Sequence, residues 1–170
     1  MKNKLIIAIA VMALCSCDKI TIKENEIVDT YWKLHSQYAE YIEDGKEVSL
    51  DYTMGEVSGG GDICLHFKDD AEIIEFVHVA FRPLFYRTLV YNIDLKKKTL
   101  DIDDRTYTIC KFTDSELIIE YRNSQHSSGD PNALCGERYR RHYPKEGAYD
   151  KYIPYEELPD EDKNPSNQLP

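Results

Sequence analysis

Basic residues are scarce in this chain. Its 170 residues include 21 Lys and Arg against 31 Asp and Glu, a formal charge of −10. Nucleic-acid binding needs clustered Lys and Arg to displace counterions, so the composition argues against that class and against charge-driven adhesion to an anionic membrane. The one basic run, Lys96-Lys97-Lys98, reads as a solvated hairpin turn. Tryptophan occurs once, at Trp32, and alanine is sparse, whereas tyrosine occurs 13 times. Bulky rings fit a pleated, half-buried surface, so this balance favours strands. Helical periodicity is nearly absent. Its best candidate is Tyr31 to Tyr41, where Leu34, Tyr38 and Tyr41 could form a stripe. Tyr31, Trp32 and Tyr38 suit a strand as well, and a first strand near Tyr31–Tyr38 is expected.

The N-terminus reads as an export signal. Lys2 and Lys4 precede a ten-residue apolar run, Leu5 to Leu14. That length suits a signal peptide and falls short of the roughly 20 residues that span a bilayer. The run ends in Leu14-Cys15-Ser16-Cys17, which resembles the bacterial lipobox: a branched apolar residue, a small residue, then the cysteine. Cys15 would set bulky Leu14 directly before the cleaved bond, so Cys17 is the better lipidation site. The resemblance implies cleavage after Ser16 and acylation of Cys17, with several acyl chains holding the protein to a membrane. Removing residues 1–16 leaves 19 basic against 31 acidic residues, a formal charge of −12. Residues 17–28 read as a polar tether. The expected location is the bacterial cell envelope, with the outer membrane favoured over the inner. Asp18 after the cysteine bears on that choice in a lineage-dependent way, and the sequence leaves sidedness open.

Apolar alternation between turn signals fills the stretch 29–143. Ile63, Leu65 and Phe67 share one face of a strand, with Cys64 and His66 on the other. Glu72 to Val79 is a second run, apolar enough at its end for burial on both sides, and Pro83 breaks it. Leu89, Tyr91 and Ile93 alternate next, then Leu100 and Ile102, then Tyr107 and Ile109. Phe112 falls one residue out of step, which predicts a bulge. Leu117, Ile119 and Tyr121 share a face. Asn123 to Asn132 is a polar loop, and Arg138 to Tyr143 is a closing strand. An open sheet of eight or nine short strands would expose edges, and closure removes them. The expected fold is all-β, a small antiparallel up-and-down barrel of about eight strands. A β-sandwich is the alternative. A lipid-embedded barrel is disfavoured, because outward apolar bands and aromatic girdles are missing. Residues 144–170 form an acidic, Pro-rich tail, extended or disordered, whose Tyr149, Tyr152 and Tyr155 could pack back on the domain.

The segment Leu100–Tyr121, with its Tyr107-x-Ile109 strand and its Phe112-Thr113-Asp114-x-Glu116-Leu117 turn, resembles a recurrent stretch of bacterial lipocalin-like lipoproteins. Thr30-Tyr31-Trp32 matches the Trp of that family's first strand, with Thr in place of its usual Gly. The resemblance spans residues 29–143. It implies a lipocalin-like barrel whose interior admits one small apolar molecule, with Trp32 plugging one end. Trp32, Leu65, Phe67, Leu89, Tyr91, Ile109 and Ile119 are then the candidate cavity lining, and would serve equally as solid core.

Other constellations are weaker. Cys64-x-His66 with His78 offers zinc-type ligands in no established spacing, so no metal is expected. Asp101-x-Asp103-Asp104 lacks the glycine and distant Glu of a calcium loop and reads as a turn. Gly59-Gly60-Gly61 lacks the Lys and helix of a phosphate cradle. His126, Ser127 and Asp130 crowd one loop without a nucleophile elbow. Cys64, Cys110 and Cys135 form an odd set in an oxidising compartment, leaving any disulfide pairing open. The functional expectation is a lipid-anchored, non-catalytic envelope lipoprotein, without cofactor, binding a small apolar ligand. The alternative is a protein-interaction or inhibitor module of the envelope, using the barrel rim or the acidic tail. The sequence says nothing of oligomeric state.

Overall fold

The computed structural model describes residues 19–53, 61–69, 71–79, 82–160 and 162–163. The expected signal peptide, the lipidation candidate Cys17, and Gly59 and Gly60 of the glycine run lie outside them.

Ten strands follow in order: β1 (Thr30–Glu43), β2 (Lys46–Thr53), β3 (Asp62–Phe67), β4 (Glu72–His78), β5 (Phe85–Asp94), β6 (Thr99–Ile102), β7 (Arg105–Phe112), β8 (Glu116–Arg122), β9 (Leu134–His142) and β10 (Ile153–Pro154). The pairing runs β5-β4-β3-β1-β9-β8-β7-β6, and β6 pairs back onto β5. These eight antiparallel strands form a closed barrel, so the sandwich alternative is overturned. Closure depends on a short seam in which Tyr91 to Asp94 pair with Ile102 to Thr99.

Two strands lie outside the ring. The first, β2, pairs with the second half of β1, from Ser36↔Thr53 to Glu43↔Lys46. Its turn is Asp44-Gly45, with φ of 50° and 74°, the double positive φ that suits a tight two-residue hairpin. β2 was not among the expected strands, although Val48, Leu50 and Tyr52 alternate with polar residues. Interleaved Glu47, Ser49 and Asp51 mask the pattern, because this arm contributes no buried residue. The second is β10, which adds in parallel to the start of β5.

Two bulges set which side chains face inward. Between β7 and β8 the register slips at Cys110, so Ile109 and Phe112 both reach the interior, as the displaced Phe112 predicted. Between β1 and β9 it slips at His35. Trp32 and Leu34 point inward before the slip, and Ala39 is buried after it.

The end of the barrel where β1 begins is filled. Trp32, Phe67, Ile73, Leu100, Ile109, Phe112, Leu117 and Ile119 are essentially fully buried there. The Trp32 and Phe112 rings meet edge to face at 5.3 Å, as do Phe67 and Tyr91 at 5.0 Å. Trp32 Nε1 donates to Thr30 Oγ1 at 2.9 Å, and Thr30 Oγ1 donates to the Ile27 carbonyl. The Arg141 guanidinium lies 5.1 Å from the Trp32 ring. Trp32 therefore sits where the sequence reading put it.

Residues 19–28 do not behave as a tether, which corrects that expectation. Ile20 bridges to Phe112, a short 3-10 turn spans Glu24–Glu26, and Ile22 and Ile27 are buried in the core. The polar composition hid three isoleucines spaced to seal the barrel floor. The tail also packs. Tyr149 stacks on Phe76 at 3.9 Å, Tyr152 meets Phe76 edge on, and Tyr155 lies 5.6 Å from Phe85. Residues 144–158 thus run up the outer wall as a strap, ending with Leu158 buried. The strap explains why Phe76, on the outer face, is buried together with inward Val77.

Candidate functional site

Above the filled floor the barrel opens. A cavity of about 320 Å³ is lined by Ile63, Leu65, Glu75, Arg87, Leu89, Ile102, Asp103, Asp104, Arg105, Tyr107, Glu137 and Tyr139. A smaller space of about 150 Å³ adjoins it, sharing Ile63, Glu75 and Arg87, and Tyr155 of the strap borders it. The residues come from β3, β4, β5, β6, β7 and β9 and from the Asp103-Asp104 turn, so six of the eight barrel strands contribute.

Strand alternation puts charge inside. On β4, Ile73, Glu75 and Val77 share the inward face, so Glu75 follows the same parity that buries Ile73. Arg87 is opposite Glu75 in the register, and its Nε donates to the Glu75 carboxylate. On β9, Glu137 and Tyr139 share the inward face. Tyr139 Oη donates to Glu137 Oε2 at 2.7 Å, and Gln37 Nε2 lies 3.4 Å from Oε1. Burial pushes the Glu137 carboxyl above its ordinary range, against the lowering effect of these two donors. Burial also raises the phenols of Tyr107, Tyr121 and Tyr139, and the Glu137 charge adds to each. Arg105 stands at the mouth, its guanidinium 4.4 Å from the Tyr121 ring centre and hydrogen-bonded to Tyr107. No ion pair involving Glu137 is found among the described residues.

Of the seven expected lining residues, Leu65 and Leu89 border the cavity. Trp32, Phe67, Tyr91, Ile109 and Ile119 lie in the packed core below it. The reading that these residues could serve as solid core therefore holds for five of the seven. The charged residues Glu75, Arg87, Arg105 and Glu137 were missed. A signal was present: Glu75 interrupts Ile73-Ile74-Glu75-Phe76-Val77 at an inward position. Charge at a core parity marks a polar interior.

The remaining constellations resolve into structure. Cys64 lies opposite Phe76, and His78 opposite Asp62. His66 stacks on Tyr31 at 3.9 Å, and its Nε2 lies 3.1 Å from Asp29 Oδ1, so it does not converge with Cys64 and His78. Asp101 accepts from Thr106 Oγ1 at 2.6 Å across the β6–β7 hairpin, and Asp103 accepts from the Val90 amide at 2.9 Å, which ties the turn to β5. His126 Nδ1 pairs with Ser128 Oγ at 2.8 Å, and Asp130 accepts from the Ile42 and Asn132 amides. Those two amides hold the Asp130 carboxyl below its ordinary range. A Cβ on Gly61 would meet the His78 carbonyl at 2.6 Å, so this glycine permits close strand approach. Cys64, Cys110 and Cys135 are buried free thiols, which leaves no disulfide among them. Burial and the neighbouring Glu120 push the Cys110 thiol up to about 12, making it a poor nucleophile.

A larger groove of about 570 Å³ lies on the outer wall beside the strap, lined by Tyr31, Phe76 and residues 141–150. It is open to solvent and is bordered mainly by the strap, so the interior cavity is the better candidate. No helix among the described residues is long and apolar enough to cross a membrane. No family model, no curated protein and no solved structure matches the chain.

Proposed function

We propose that this chain is a lipid-anchored lipoprotein of the bacterial cell envelope, held at the outer membrane through Cys17, and that its barrel binds a small molecule without transforming it. The observation that carries the binding reading is the contrast inside the barrel: a filled, apolar floor and, above it, a cavity of about 320 Å³ with a few converging polar groups. Ile63, Leu65, Leu89 and Ile102 offer apolar wall to the body of a ligand. Glu75, Arg87, Arg105 and Glu137 would orient its polar end. A non-catalytic role is favoured because burial raises the Cys64 and Cys110 thiols, which makes them poor nucleophiles.

A second reading rests on a separate observation. Among the described residues β2 pairs only with β1, so its outer edge is open to an extended segment of an envelope protein.

Two experiments test the proposal. Cys17→Ala should move the protein from the membrane fraction to the soluble one; retention in the membrane overturns the anchor. Small-molecule mass spectrometry of the protein purified from its own cells should show a co-purifying compound that is lost on replacing Leu89 by Trp. A compound unaffected by that filling substitution would overturn the interior site.

A further inference from the structure

The charged groups of the cavity are not equally satisfied. Arg87 is paired with Glu75. Arg105 rests over Tyr121 and bonds Tyr107. Glu137 accepts hydrogen bonds only from uncharged donors, Tyr139 Oη and the more distant Gln37 amide, and the Arg105 guanidinium acts on it through charge without a direct bond. A carboxylate in a low-dielectric site without a directly bonded cation is costly, and two neutral donors and the Arg105 charge offset that cost in part. The surroundings suit a positive guest. Tyr107 and Tyr139 line the same cavity, and ring faces attract ammonium groups. Asp103 and Asp104 stand at its mouth, where they raise the local concentration of cations.

We propose that the cavity takes a small organic cation, with its ammonium group on the Glu137 carboxylate and its apolar body against Leu65 and Leu89. This rests on the ligand-binding reading above and names the ligand's chemical class. An ammonium supplies the charge-assisted hydrogen bonds that Glu137 lacks. Arg105 at the entrance sets a limit on the guest's size and keeps a second positive centre from the mouth.

Three molecules sharing one ring and differing in the head group test it: phenethylamine, phenethyl alcohol and hydrocinnamate, each titrated calorimetrically into the full-length lipoprotein in detergent. The amine should bind at least about tenfold more tightly than the alcohol, and the acid should bind most weakly. Glu137→Gln should bring the amine down to the affinity of the alcohol while leaving the alcohol unchanged. Gln keeps an acceptor for Tyr139, and the comparison on the unmutated protein stands even if this variant does not fold. Equal binding of amine and alcohol would overturn the ammonium assignment while sparing the ligand-binding barrel. Preference for hydrocinnamate would overturn it in favour of Arg105. Failure of all three to bind would count against both proposals.

Discussion

The two ends of the barrel are built from the same strands by the same alternation, yet one is solid and the other hollow. At the floor the inward positions carry Trp32, Phe67, Ile73, Phe112 and Leu117, and residues 19–28 add Ile22 and Ile27 beneath them. At the mouth the inward positions carry Glu75, Arg87, Arg105, Tyr107 and Glu137. Apolar side chains interdigitate to crystal-like density, because every contact adds dispersion and removes surface from water. Charged side chains cannot collapse on one another in that way. They need partners in defined directions, and the space between them stays open. The difference teaches that strand parity decides where a side chain points, and its chemistry decides whether the interior closes.

Substitutions at the floor should have the largest effect on stability. Trp32→Ala is expected to cost about 3–5 kcal/mol and Ile27→Ala about 2–5 kcal/mol, read from denaturant unfolding. A negligible cost at Ile27 would mean that residues 19–28 are a loose tether after all, and that the floor is sealed by the strands alone.

The mouth should instead show a pH dependence. Glu137 has its pKa raised on folding above 4.5, so the folded state holds the proton more tightly than the unfolded chain. Its contribution to stability is fully present below that value and is lost as pH rises through the higher folded pKa. Thermal melts across this window should fall with pH for the native protein. Glu137→Gln should flatten that component and be relatively more stable near neutrality. A profile unchanged by the substitution would show that the carboxyl is well solvated, which would erase the contrast between the two ends.

The smallest effect is expected on the outer wall. Tyr149→Ala removes the ring stacked on Phe76 and should cost about 0.5–1.5 kcal/mol. The accompanying sign is faster proteolysis of the strap with the barrel intact. Loss of the whole fold would place the strap within the core.

Much of the barrel was legible because alternation is a local signal. The turns at Lys96-Lys97-Lys98, Asp103-Asp104 and Thr113-Asp114-Ser115 all lie where the polar clusters put them, and the misplaced Phe112 marked the bulge at Cys110. β2 was missed although Val48, Leu50 and Tyr52 alternate through it, because neither of its faces is buried and the short stripe stands among charged residues. The floor segment 19–28 was misread because its three isoleucines are contacts made across the fold, not a period along the chain. The candidate site was the least legible part. Leu65 and Leu89 were found through their parity, but Glu75, Arg87, Arg105 and Glu137 resemble surface charges until the ring closes around them.

The amino-acid order by itself determined most of the barrel strands and their turns, since those follow from the two-residue period of the chain. Residues 1–17 also carry the pattern from which export and lipidation at Cys17 are proposed. Only the tertiary structure decided which inward faces meet. Closure of β6 onto β5 brought Glu137, Arg105 and the Glu75–Arg87 pair into one space. Those residues lie far apart along the chain, and their electrostatics depend on how closely folding gathers them and how much water it removes.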